Sequence, residues 1–257
     1  NEGAFTNEIY ALAVDADGNV YAGGAFTNVR AGIFSLLTAD YIAKWNGTSW
    51  TNLGSNGASN GSLSGPVSDI AVGASGDVYV GGRFANVNNN GALLNAADGV
   101  AKWNGTNWSA LGSNGAGDGA ILSPHAINSL AVSGTKVYVV GSFSSVNNGG
   151  LLLTQAAKVA QWDGSNWSGL ASTGNGSLND AVYALAVNGS AVYIGGRFTN
   201  IVDQGTMLTA ADYIAKWDGT HWSALGHNGA GDGALNSIVG SLAISGNNLY
   251  VGGGFTN

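Results

Sequence analysis

The sequence predicts an all-β protein, a β-propeller of four-stranded antiparallel blades, on three observations. One string returns along the chain: VYAGGAFTN at 20–28 comes back as VYVGGRFAN, VYVVGSFSS, VYIGGRFTN and LYVGGGFTN. Its phenylalanines, Phe26, Phe84, Phe143, Phe198 and Phe255, stand roughly 55–60 residues apart, a spacing that marks a repeat architecture. A tryptophan pair five residues apart follows each copy except the last: Trp45/Trp50, Trp103/Trp108, Trp162/Trp167 and Trp217/Trp222. The chain 1–257 therefore reads as a single repeat domain with four complete units, about 9–66, 67–126, 127–181 and 182–238, and the first half of a fifth, 239–257.

Each unit divides into four β segments. Strand A reads YALAV, SDIAV, NSLAV, YALAV and GSLAI, and strand B reads NVYAGG, DVYVGG, KVYVVG, AVYIGG and NLYVGG. Strand C reads YIAKW, GVAKW, KVAQW and YIAKW, and strand D reads SWTNLG, NWSALG, NWSGLA and HWSALG. These runs are rich in β-branched and aromatic residues and are bounded by turn residues. A tight polar turn such as Asp17-Gly18-Asn19 joins A to B. Asn46-Gly47, Asn104-Gly105, Asp163-Gly164 and Asp218-Gly219 join C to D, and such dipeptides accept the positive φ that hairpin turns require. Four antiparallel strands per repeat is the propeller pattern. A parallel β-helix is the competing architecture, but its coils are shorter and lack paired tight hairpins.

The residues that repeat most strictly fit radial packing. Ala13, Ala71, Ala131, Ala186 and Ala243 place a small side chain on the strand nearest a crowded axis. Tyr21, Tyr79, Tyr138, Tyr193 and Tyr250 have rings suited to the wedge between blades. The glycine pair ending strand B, as in Gly23-Gly24, allows close backbone approach; the third copy weakens it to Val140-Gly141.

A double glycine, then a strand ending in tryptophan, a turn and a second tryptophan resembles the kelch repeat. The longer pattern, GGAFTN followed by YIAKWNGTSW, is similar to blades of secreted bacterial surface propellers and of the fungal cortical polarity-marker family. The resemblance covers essentially the whole chain. It implies the fold and leaves the function open, since propellers host binding, scaffolding and catalysis alike. The third copy departs from it, with Lys158 in place of an aromatic residue or glycine and Gln161 in place of lysine.

Composition excludes several classes. Charged residues make up 9% of the chain and 43 residues are Gly, yet 45% are hydrophobic, too much apolar mass for a disordered chain. With a net charge of −7 and no clustered Lys or Arg, the chain lacks what nucleic acid or an anionic membrane surface would recruit. No cysteine is present, which removes disulfides, thiol catalysis and thiolate metal sites. No apolar run is long enough to insert in a bilayer as a helix. The chain opens on Asn1 without a signal segment and is expected to be a processed or trimmed piece, extracellular or at a cell surface.

The connections are asymmetric. A–B and C–D turns are tight and share one end of the blades. The B–C loops, 27–40, 85–98, 144–157 and 199–212, and the D–A loops, 54–66, 112–126, 171–181 and 226–238, share the other. B–C loops keep one length, with Leu36, Leu94, Leu153 and Leu208 at one aligned place, which are expected to pin them down. D–A loops vary in length, and function on a rigid scaffold tends to sit on loops. A protein or glycan partner is therefore expected on the long-loop face.

Candidate ligand-binding residues are Trp50, Trp108, Trp167 and Trp222, which begin the outer strand and are expected to be part-exposed and able to stack on sugars, and Asp118 and Asp232 in the repeated GAGDGA. The plainer readings are blade packing for the tryptophans and a polar glycine-rich turn for the aspartates. Asp15-Ala16-Asp17-Gly18-Asn19 looks like the start of a calcium loop but lacks the downstream acidic ligand, so a hairpin turn is expected. Lys44, Lys102 and Lys216 follow Asp40, Asp98 and Asp212 by four residues, which suggests a repeated ion pair or a loop anchor. His125, His221 and His227 occupy unrelated repeat positions, nominate no base and show no zinc spacing. No cofactor is implied. Sequons at Asn46, Asn60, Asn104, Asn107, Asn166, Asn175 and Asn188 permit glycosylation in a suitable host.

The last unit has strands A and B only. NEGAFTNEIY at the start aligns with a D–A loop and does not supply the missing strands. The remainder is expected from a longer chain, giving five or more blades, from a neighbouring subunit by self-association, or from imperfect closure of the ring. The expected function is a non-catalytic repeat module for surface binding, adhesion or structural assembly. A multivalent lectin is the first alternative, and an enzyme on a propeller scaffold the second.

Overall fold

The computed structural model describes residues 4–31, 34–122, 127–170 and 176–256. His125 and the Asn175 sequon lie outside the described residues.

Four antiparallel sheets follow one another, each ordered A-B-C-D from the inside outward. The first is Ile9–Val14, Val20–Gly24, Ile42–Trp45 and Trp50–Thr51. The second is Val67–Val72, Val78–Gly82, Val100–Trp103 and Trp108–Ala110. The third is Ile127–Ser133, Lys136–Gly141, Val159–Trp162 and Trp167–Gly169, and the fourth Val182–Asn188, Ala191–Gly196, Ile214–Trp217 and Trp222–Ala224. A hairpin of Val239–Ser245 and Asn248–Gly253 begins the fifth. The inner strand of each blade packs on the inner strand of the next, which makes the protein a β-propeller of four-stranded blades.

Each blade hides its apolar surface on its neighbour. One cluster joins Ala13, Tyr21 and Ile42 of the first blade to Val67, Ile70 and Val80 of the second, and the next joins Ala71, Tyr79 and Val100 to Ile127, Leu130 and Val139. A third joins Ala131, Tyr138 and Val159 to Val182, Leu185 and Ile194. The repeated tyrosine therefore fills the wedge, as expected. On the faces that no described blade covers, such residues stand open: Tyr250 is exposed, and so are Leu12 and Val14 on the leading face of the first blade.

The two glycines ending strand B serve different contacts. A Cβ on Gly81 would lie 2.5 Å from Ile127 Cγ2, so this glycine lets the next blade close in. Val140 fills that position in the third blade and is itself fully buried. The second glycine faces its own blade. A Cβ on Gly24, Gly82, Gly196 or Gly253 would overlap the carbonyl oxygen just before strand A, that of Glu8, Pro66, Ala181 or Ile238. Those oxygens accept the N–H of Ala25, Arg83, Arg197 and Gly254, and strand A bulges beside them in every copy.

The long connections are more ordered than a loop reading implies. Each B–C segment folds as a hairpin: Val29–Ala31 with Phe34–Leu36, Val87–Asn89 with Ala92–Leu94, Ser145–Asn148 with Leu151–Leu153, and Ile201–Asp203 with Thr206–Leu208. Leu36, Leu94, Leu153 and Leu208 pack against the blade cores and hold these hairpins down, as their alignment suggests. The D–A segments cross to the hairpin of the following blade. Leu63 bridges Val87, Ile121 pairs with Val146, Leu178 bridges Ile201, and Phe5 bridges Val29 in the equivalent place. The opening stretch is thus a D–A segment, as its alignment indicates.

One polar group links the inner strands. Asp69 Oδ2 accepts from Ser129 Oγ at 2.7 Å and from the Leu130 N–H at 2.8 Å, across the boundary between the second and third blades. Burial pushes its carboxyl above the ordinary range, against the lowering effect of Ser129 and the Leu130 and Ile70 N–H groups. An acid with a raised folded pKa binds more protons folded than unfolded between the two values, so stability falls as pH rises through that window. Asp69→Asn is expected to remove this slope. Thermal melts from neutrality down to about pH 4 check it: the wild type should gain on the variant as pH falls.

Candidate functional site

The long-loop face is built from the outer hairpins and the D–A segments. Asp40 shows how they are locked. It is buried, and its carboxylate accepts the Asn28 N–H at 2.9 Å and the Gly61 N–H at 3.2 Å, joining hairpin to loop. Asp212 takes the Gly233 N–H in the fourth blade. The loop-anchor reading of these aspartates holds, and the ion-pair reading is corrected. Lys44 pairs instead with Asp15 at 3.8 Å and Lys102 with Asp77 at 3.5 Å, because the alternating pleat turns these lysines toward the tight A–B turns.

The expected part-exposure of the outer-strand tryptophans is overturned for three of the four. Trp108, Trp167 and Trp222 are buried. Each indole N–H donates to a carbonyl of the preceding blade: Trp108 to Leu53 at 2.6 Å, Trp167 to Leu111 at 2.5 Å and Trp222 to Leu170 at 2.7 Å. Each ring also leans on its strand C partner, with centroids 5.4 to 5.5 Å apart. Trp50 is half-buried. No acceptor for its N–H is found among the described residues, and its ring meets Phe5 edge-on at 4.9 Å. Exposure failed as an expectation because a strand that is outer within its own blade is still covered by the blade before it.

Asp118 and Asp232 are exposed. They close turns in which Asn114 Oδ1 takes the N–H groups of Ala116 and Asp118, and Asn228 Oδ1 those of Ala230 and Asp232. Asn56 does the same with no aspartate in its turn, so the fold does not need the carboxylate there. Asp15 likewise takes the Asp17 and Asn19 N–H groups, the hairpin turn that was expected.

An acid–base pair escaped the sequence reading. His221 Nδ1 lies 3.0 Å from Asp203 Oδ2. The equivalent pairs in the two preceding blades are Asn89 with Asn107 at 3.3 Å and Asn148 with Asn166 at 3.1 Å, each steadying the start of strand D. Aligning hairpins as well as strands would have found it. Beside it, the N–H groups of His221 and Thr220 hold Asp218 down to about 2. Among the described residues, no group of three or more metal-ligating side chains occurs.

The face also presents apolar side chains outward. Phe34 is 73% exposed, Leu93 57%, Leu152 51% and Met207 58%. All four sit on the second strand of the outer hairpin in successive blades; Leu93, Leu152 and Met207 stand next to the leucine that pins it, and Phe34 two residues before Leu36. A groove beside Leu93 is lined by the amides of Asn60, Asn86 and Asn88.

No protein-family model matches the chain, and no curated protein matches it. Solved structures with a likeness to it include the GH74 enzyme of Niastella koreensis, 16% identical over 97% of this chain and 33% of that one, with a TM-score of 0.48. The WD40 repeats of RRP9 are 13% identical over 92% of this chain and 70% of that one, with a TM-score of 0.46. YCF48 from Cyanidioschyzon merolae is 8% identical over 93% and 61%, with a TM-score of 0.42. The chain spans a third of the length of the GH74 enzyme and less than two thirds of YCF48.

Proposed function

We propose that the chain is a non-catalytic binding module, working outside the cell or at its surface, that docks a protein partner on the long-loop face. The observation that carries this is an exposed apolar residue on the second strand of every outer hairpin: Leu93, Leu152 and Met207 at one aligned place, and Phe34 one residue earlier in the first blade, where Ser35 holds that place. Single exposed apolar residues are ordinary, but one element of four successive blades carrying them is an arranged surface. Covering a side chain of this size gains about 1.5–3 kcal/mol, enough for a few of them to anchor an interface with the asparagine amides as its polar rim. The resemblance to secreted repeat blades supports the extracellular placement. The absence of a convergent set of acid, base and nucleophile among the described residues favours binding over catalysis.

The test is a fourfold variant, Phe34→Ser, Leu93→Ser, Leu152→Ser and Met207→Ser, in which only exposed side chains change. It is expected to melt within a few degrees of the wild type. Displayed peptides selected on the immobilised wild type are expected to be rich in apolar residues and to bind the variant at least about tenfold more weakly. Peptides that bind both equally, or binding confined to a glycan array, would overturn the reading.

A further inference from the structure

The third blade departs from its sisters at the opposite end from the long loops. In the other complete blades a strand C lysine closes the tight-turn end of the wedge. Lys44 Nζ stands 5.3 Å from the Tyr21 ring centre and Lys216 Nζ 5.8 Å from that of Tyr193, while Lys102 is tied to Asp77 at 3.5 Å, cross-strand from Tyr79. The third blade has Gln161 opposite Tyr138, and Lys136 where the second blade has Asp77. The lysine that fills the wedge is missing, and a cleft of about 380 Å³ opens between the third and fourth blades.

Its lining is largely polar. Ser133, Lys136, Tyr138, Gln161, Ser190 and Trp217 line it. Among these side chains, Ser133 alone has a hydrogen-bond partner among the described residues, donating to the Gly189 carbonyl at 2.9 Å. The Tyr21 hydroxyl donates to Asp15 at 3.1 Å, but no partner for the Tyr138 hydroxyl is found among the described residues. Burial pushes the Tyr138 phenol up, so it stays a donor at neutral pH. Lys136 has no carboxylate within ion-pair distance among the described residues. The nearest in influence is Asp163, which is lowered first by the Asn166 and Ser165 N–H groups and only weakly by Lys136. One face of Trp217 leans on Trp222, and the rest of the indole borders the cleft.

We infer that this cleft binds a carboxylated sugar residue of the uronic-acid type. The indole offers an apolar edge to the C–H face of a pyranose. The phenol, the Gln161 amide and the Ser190 hydroxyl match ring hydroxyls, and Lys136 matches the carboxylate. The volume lies within the range of small-molecule sites. This inference is independent of the protein-docking reading, because it uses other residues at the other end of the blades.

Intrinsic tryptophan fluorescence tests it, with glucuronate and glucose titrated up to about 10 mM. Glucuronate is expected to give a saturable change and glucose a much weaker one. Gln161→Lys restores the residue that three sister blades carry, so it should fold as the wild type does, and it should weaken glucuronate binding at least about tenfold. Lys136→Ala should weaken glucuronate by about the same factor and leave glucose unchanged. No saturable change with glucuronate, equal binding of the two sugars, or full binding by Gln161→Lys would overturn the inference.

Discussion

Gly82→Ala is expected to lower stability by at least about 3 kcal/mol, the upper range of overpacking effects. An added Cβ would overlap the Pro66 carbonyl oxygen and crowd Val67 Cα, 2.9 Å away. Both obstacles are backbone, so no rotamer change relieves them. The Pro66 oxygen also accepts the Arg83 N–H at 2.9 Å, and moving it aside breaks the bond that seats the bulge at the start of strand A. Val67 and Ile70 on that strand bury against the first blade, so the damage crosses a blade boundary. Gly76→Ala is the control. Its φ is +83° and nothing lies near its side-chain position, so only the conformational term remains, about 1–2 kcal/mol. Urea denaturation of both variants compares the two losses, and a loss for Gly82→Ala no larger than the control's would show that strand A can shift to admit a methyl group.

That glycine also shows where the sequence was readable. The pair Gly23-Gly24 and its repeats signalled close approach, and the structure confirms it. The division of labour, one glycine toward the next blade and one toward its own bulge, has no local signature, because the partners Ile127 and Pro66 lie far along the chain from each other. Blades, tight turns and wedge tyrosines were legible for a simple reason: alternation, Asn-Gly or Asp-Gly turns and repetition are all local patterns. The outer hairpins were missed because three or four residues such as Val29–Ala31 are too short to display an alternation. The candidate site was legible as a face and less so as residues. The face depends only on loop order, whereas exposure depends on which blade covers which. Trp167 was judged by its place in its own blade and is buried by the blade before it. The departure at Gln161 was visible as a broken repeat, but its consequence, an opened wedge, needed Tyr138 and Trp217 placed around it.

Trp167→Ala is expected to cost about 3–5 kcal/mol, the range for removing a fully buried large aromatic. The ring packs in the core shared with Leu111, Ile121 and Phe143, so its loss leaves a cavity bounded by two blades. The Leu111 carbonyl, bonded at 2.5 Å, loses its indole donor as well. Trp167→Phe separates the two effects: the ring volume is mostly kept, and the loss should fall to about 1–3 kcal/mol, the cost of an unpaired buried acceptor. Trp50→Ala should cost clearly less than Trp167→Ala, because Trp50 is half-buried and no blade among the described residues accepts its N–H. The ordering Trp167→Ala, then Trp167→Phe, with Trp50→Ala well below the first, follows from blades that shield one another. Equal costs for Trp50→Ala and Trp167→Ala in urea melts would mean that the outer tryptophans stabilise their own blades and owe nothing to the neighbour.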